Sequence, residues 1–124
     1  MQANSFSIAL IIPHADEYDD LQNLLGSMQS WAKQADEIIV IDSSKKPETL
    51  PVDFEKFCSS NQINLIHHQH DNLIYPGHAR NIGVNISKSN LIAFLDVKTV
   101  PTKNWLSNNF EIIKNSSNDG VWGK

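Results

Sequence analysis

Arg80 sits in the segment Gly77-His78-Ala79-Arg80-Asn81-Ile82-Gly83. Its guanidinium is a permanent cation, and the planar fork of donors suits phosphate oxygens. Gly77 lets the backbone turn sharply, small Ala79 permits close packing, and Gly83 lets a neighbouring element approach. A helix start with a surface arginine would use the same residues, so the segment takes its meaning from its flanks. Three apolar runs each end in a polar cluster: residues 13–16, beginning Pro13-His14, then Asp42-Ser43-Ser44, then Asp96-Val97-Lys98. Taken singly, each reads as a solvated turn or a helix cap. Brought to one edge of a parallel sheet, beyond the strand ends, they would form a pocket for a charged nucleotide ligand.

Other reactive side chains carry less. His68 and His70 share an i, i+2 spacing, with His67 and His78 nearby. Zinc sites use such pairs, but no third and fourth ligands are evident, and a polar strand end accounts for the histidines. Cys58 falls within an apolar helical pattern and is expected to pack in the core. Lys45 and Lys46 could add positive potential over phosphates, although adjacent lysines in a turn are more often simply solvated.

The elements that must position these groups follow from periodicity. Residues 7–13 form a short, continuously apolar strand, closed by Pro13. Leu21, Leu24, Leu25, Met28 and Trp31 recur at helical spacing behind Asp16, Asp19 and Asp20, which complement the helix dipole. Residues 37–41 are a second strand. Val52, Phe54, Phe57 and Cys58 mark a short helix that tolerates Pro51 at its start. Residues 63–67 are a less apolar strand, expected near an edge. Ala79, Ile82, Gly83 and Ile86 share a helix face, residues 91–95 are a fourth strand, and Trp105, Leu106, Phe110 and Ile113 mark a last helix. Residues 120–123 read as the start of another strand. This alternation predicts a three-layer α/β/α domain over residues 1–124, with a mostly parallel sheet.

Composition excludes several classes. With 40% apolar and 19% charged residues, the chain is globular and not disordered. A net charge of −4 argues against a nucleic-acid partner, which calls for a basic face. The single Cys58 permits no internal disulfide and suits a reducing cytoplasm. Residues 8–12 are too short an apolar run for a signal or membrane helix. Neither Gly-x-Gly-x-x-Gly after the first strand nor a Walker loop is present, which argues against an unrelated dinucleotide or P-loop binder.

The order of the motifs resembles family 2 glycosyltransferases of the GT-A fold. The matching positions are Ile12-Pro13, Asp42, Gly77, Ala79, Arg80, Asn81, Gly83, Phe94-Leu95-Asp96 and Trp105-Leu106. The resemblance implies a donor site for a nucleotide diphosphate sugar. Residues near Pro13 and His14 would line the nucleoside pocket, and Asp42 would hydrogen-bond the base, typically uracil. Arg80 would sit near base and phosphates, supported by Asn81. Asp96 would be the first acidic residue of an Asp-x-Asp motif, near the ribose and a Mg²⁺ or Mn²⁺ ion. Asp42→Ala and Arg80→Ala are each expected to weaken nucleotide binding while leaving the fold intact.

Two departures stand out. The second acidic position is Lys98, and a protonated lysine cannot ligate a cation. The metal is lost, or another residue holds it, or the Lys98 ammonium neutralises the diphosphate itself. The chain also ends at Lys124, where the family's acceptor-binding half would begin, and nothing marks Glu111 or Asp119 as a catalytic base. Two functional classes therefore stand: the donor-binding half of a glycosyltransferase, acting on a glycan, lipid or cell-wall acceptor, or a non-catalytic binding module that keeps the fold. The second would expose an apolar surface near Val121 and Trp122 and could self-associate as a homo-oligomer.

Overall fold

The computed structural model describes residues 6–46 and 48–114. Strands β1 (Ile8–His14) and β2 (Glu37–Asp42) lie at the centre of the sheet, which is why both read as unbroken apolar runs. β3 (Asn64–Gln69) flanks β2 and β4 (Leu91–Phe94) flanks β1, giving the order β3-β2-β1-β4 with every pair parallel. Four helices alternate with them: α1 (Tyr18–Met28), α2 (Val52–Ser60), α3 (Pro76–Ile86) and α4 (Trp105–Lys114). No described helix is long and apolar enough to cross a membrane.

The pleat sorts side chains into two cores. Ile8, Leu10, Ile12, Ile38 and Val40 pack against Leu21, Leu24, Leu25 and Met28 of α1, Phe54 and Cys58 of α2, and Leu106 of α4. Ala9, Ile11, Ile39 and Ile41 face α3 through Ala79, Ile82 and Ile86. The three layers are therefore unequal, with three helices on one face and α3 on the other. Cys58 packs in the core as its spacing predicts, and burial pushes its thiol up to about 11, well away from reactivity.

Close approach of α3 depends on Gly83. A Cβ at that position would lie 2.6 Å from Cγ2 of Ile11, a branched side chain with no exposure on a central strand. Ile11 cannot yield, so Gly83→Ala forces the helix away from the sheet. Overpacking of this kind costs roughly 1–3 kcal/mol, against a gain of up to about 1 kcal/mol from helix propensity. Urea denaturation of Gly83→Ala is expected to show a net loss near 1 kcal/mol by those magnitudes, opposite to the usual gain at a helical glycine. A stabilised variant would contradict the packing.

Several boundaries differ from the sequence reading. Trp31 continues the helical spacing but lies beyond α1, in turns after Met28; it is buried and packs 5.8 Å from the Trp105 ring. β3 begins one residue later and runs two further than expected. Among the described residues β4 is an edge as well as β3, although its sequence is apolar, because Leu91 and Ala93 pack on one core and Ile92 on the other. The strand expected at 120–123, the apolar pair Val121 and Trp122, and Asp119 lie outside the described residues.

The strand order has a consequence for ligands. The chain builds outward from β1 to β2 to β3, then returns to set β4 on the opposite side of β1. The strand order thus reverses between β1 and β4, although α1 and α4 both pack on one face, and ligands of open parallel sheets bind at the carboxyl ends of the strands beside such a reversal.

Candidate functional site

Asp42 ends β2 with 1% of its surface exposed, and its neighbours close around it. Oδ2 accepts the Tyr18 hydroxyl at 2.5 Å and Nε2 of His67 at 2.8 Å, while Oδ1 accepts the Ser44 amide at 2.9 Å. Register explains the gathering. His14 pairs with Asp42 and Val40 with His67, so His14, Asp42 and His67 project from the same sheet face, toward α1. Burial alone would raise the Asp42 pKa, but donors from Ser44, Tyr18 and His67 outweigh it and hold the carboxyl at about 2. Burial, then the Asp42 carboxylate, push the Tyr18 phenol upward.

His14 is equally enclosed. Its Nε2 accepts the Glu17 amide at 2.8 Å, which assigns the neutral ring's proton to Nδ1. Nδ1 stands 3.3 Å from Oδ1 of Asp42 at a geometry short of a hydrogen bond. Asp16 adopts φ 54°, a left-handed conformation that aspartate tolerates. Its amide donates to Ser44 Oγ at 2.6 Å, and its carboxylate accepts the Lys45 amide at 3.1 and 3.2 Å. The loop after β1 and the turn after β2 are therefore tied together.

The other predicted residues are less enclosed, and those of α3 lie on the opposite face of the sheet from this cluster. Arg80 and Asn81 are exposed on α3, and the Arg80 guanidinium lies 5.8 Å from the ring centre of Phe94, at the end of β4. Pro13 is half-buried in β1. Asp96 is exposed, and its Oδ1 accepts the Lys98 amide at 2.9 Å. Lys98 Nζ reaches across to Oε2 of Glu17 at 3.1 Å. Pro13, His14, Asp42, Asp96 and Lys98 all fall at the carboxyl edge, as the strand ends require.

Tyr18 and Glu17 were not singled out by sequence, Ser44 appeared only within the turn cluster after β2, and His67 only beside the histidine pair. Period-two projection of His67 beside Asp42 was a usable signal, but only with the β2–β3 register known. The remaining histidines form no cluster: His70 meets His78 edge-on at 5.9 Å and contacts the Asn72 carbonyl through Nδ1 at 2.9 Å. No three histidine, cysteine or acidic side chains among the described residues converge as a set of metal ligands. At the motif position the second ligand is an ammonium, so the residues present do not fit a Mg²⁺ or Mn²⁺ held by paired carboxylates.

This geometry has relatives. The family model of glycosyl transferase family 2 matches residues 9–124. The chain belongs to that family. Over 118 residues this family 2 chain is 25% identical to glycosyltransferase AglE of Haloferax volcanii, covering 94% of the chain and 38% of the relative. Its fold is that of GT-A glycosyltransferases. It superposes on mannosyltransferase PcManGT from Pyrobaculum calidifontis, in complex with GDP-Man and Mn²⁺, with a TM-score of 0.71 at 16% identity, over 94% of the chain and 34% of that protein. S. aureus TarS 1–349 in complex with UDP-GlcNAc gives a TM-score of 0.65 at 19% identity, over 86% and 31%. The family 2 chain thus spans about a third of the length of these relatives.

Proposed function

We propose that this chain binds a nucleotide diphosphate sugar, UDP-linked, and forms the donor-binding part of a cytoplasmic glycosyltransferase whose acceptor is a hydroxyl on a glycan, lipid or cell-wall precursor. The observation that carries the reading is the meeting of four segments at the sheet's carboxyl rim, beside the switch point between β1 and β4, in a family 2 chain. Division of labour follows from burial. Arg80 and Asn81 are exposed and make direct contact with base and phosphates, while His14 and Asp42 form the floor that fixes the surrounding loops. No residue is assigned as the general base.

Arg80 gives the sharpest test. Its side chain is exposed and lies over the Phe94 ring, so Arg80→Ala leaves thermal stability within about 2 °C, as expected for a surface substitution. Losing a charge-assisted contact to phosphate weakens UDP binding by about tenfold or more. Calorimetry on both proteins, with UMP as the ligand lacking the second phosphate, separates a phosphate contact from a base contact. Equal UDP affinities in parent and variant would remove Arg80 from the site.

A second reading, a binding module without turnover, is favoured by Asp42. All of its side chain is enclosed and its oxygens are taken by Tyr18, His67 and Ser44, which leaves a base no open carboxylate. Self-association as a homo-oligomer belongs to this second reading.

A further inference from the structure

The residue that replaces the second acidic position of the motif is bonded to a partner across the rim. Lys98 follows β4 and Glu17 immediately precedes α1, so their 3.1 Å ion pair joins the loops that leave β4 and β1, the two strands between which the strand order reverses. We infer that the Lys98 ammonium, and not a divalent cation, neutralises the diphosphate of the donor, and that Glu17 is the counter-ion it leaves on binding; the inference rests on the donor-binding reading above.

The donor set argues against the ion and for the lysine. Asp96 already spends Oδ1 on the Lys98 amide, and the Glu17 carboxylate is held by the Lys98 ammonium. A divalent cation placed there would compete with the Lys98 ammonium for the same carboxylate. The surroundings nonetheless demand a cation. Glu17, Asp19 and Asp20 crowd the first turn of α1, and Asp16 and Glu48 line a cleft of about 430 Å³ beside them, with Lys46 as the cation on its wall. A diphosphate approaching this rim meets like charge unless a basic side chain stands there.

Lys98 is built to make the exchange. Its side chain is 67% exposed, so the pair with Glu17 is a surface ion pair, weak and readily traded for a better anion. The four-carbon stem carries a compact charge with three donors and wide reach. A phosphate oxygen replaces the carboxylate as acceptor, and Glu17 is released to solvent.

Calorimetric titration of UDP and of GDP, each in EDTA and in Mn²⁺, tests this on the intact chain. The expected affinities agree within about twofold between the two conditions. Lys98→Ala weakens binding by about tenfold, the loss of one charge-assisted contact. Glu17→Gln tightens it by about threefold, because the lysine no longer has to leave a carboxylate. Both variants are expected to keep the parent's thermal stability within about 2 °C. Tight binding only in Mn²⁺ would overturn the inference and leave the donor-binding reading standing. Unchanged affinity in Lys98→Ala, with equal stability losses in the two variants, would reduce the pair to a structural tie and likewise overturn it. Failure of the parent to bind either nucleotide in either condition would remove both.

Discussion

Asp42→Ala loses about 3 kcal/mol of folding stability, with a melting temperature on the order of 10 °C lower, before any effect on ligand is read. The magnitude follows from what the carboxylate holds. Removing it strands the Tyr18 hydroxyl, His67 Nε2 and the Ser44 amide around a site that has no side-chain exposure and gives water no direct path. An unsatisfied buried donor costs about 1–3 kcal/mol. Some relaxation is available, because Tyr18 is half-buried and its hydroxyl also accepts the Glu48 amide at 2.6 Å. Asp42→Asn keeps one acceptor and falls between parent and alanine variant. The sequence alone suggested that Asp42→Ala would spare the fold; burial of the side chain changes that expectation. Thermal melts of the three proteins decide it, and an alanine variant melting within about 2 °C of the parent would contradict the buried network.

Acid should unfold this protein through the same residue. The folded Asp42 carboxyl has a pKa of about 2, below its ordinary value of 3.8. A group whose pKa is depressed on folding adds stability above its unfolded pKa, and that stability disappears as pH falls toward the folded value. For Asp42 the contribution is about 2 kcal/mol, present at pH 5 and above and lost progressively between about pH 5 and 1. Glu37 acts in the same direction at the opposite edge of the sheet. Burial raises its pKa, but Ser89, the Lys88 amide and Ser87, all donating to Oε1, lower it by more. Urea denaturation at stepped pH should show a plateau to about pH 5 and then a fall. The stability gap between parent and Asp42→Asn should narrow by about 1.5 kcal/mol on going from pH 7 to pH 2.5. A gap that stays constant over that range would mean Asp42 carries no such linkage.

How far the sequence reached depended on the kind of signal. β1 and β2 were legible because strands buried on both faces are apolar without interruption, and a period-3.6 pattern marked α1, α3 and α4. Trp31 shows the limit of that signal: periodicity reports burial, and a residue can be buried beside Trp105 without belonging to the helix. The rim residues Pro13, Asp42, Arg80 and Asp96 could be picked out because each stands where an apolar run or a glycine segment changes character. Their partners could not. Whether His67 or His68 faces Asp42 depends on the β2–β3 register, and a one-residue slip would exchange them. Glu37 looked like the edge of a strand, and its role appears only when the connection from α3 to β4 folds over it. Lys98 was visible as a departure from the family motif, but Glu17, some eighty residues earlier, becomes its partner only through the fold.

The central claim is that the carboxyl rim of the sheet binds a nucleotide diphosphate. Amide chemical-shift mapping of the isotope-labelled chain during titration with UDP-GlcNAc tests it most directly. Saturable shifts are expected at residues 14–18, 42–46, 77–83 and 95–99, with those at the opposite edge, including Glu37 and Ser87, unmoved. Saturable shifts centred on another surface, or none at millimolar ligand, would contradict it.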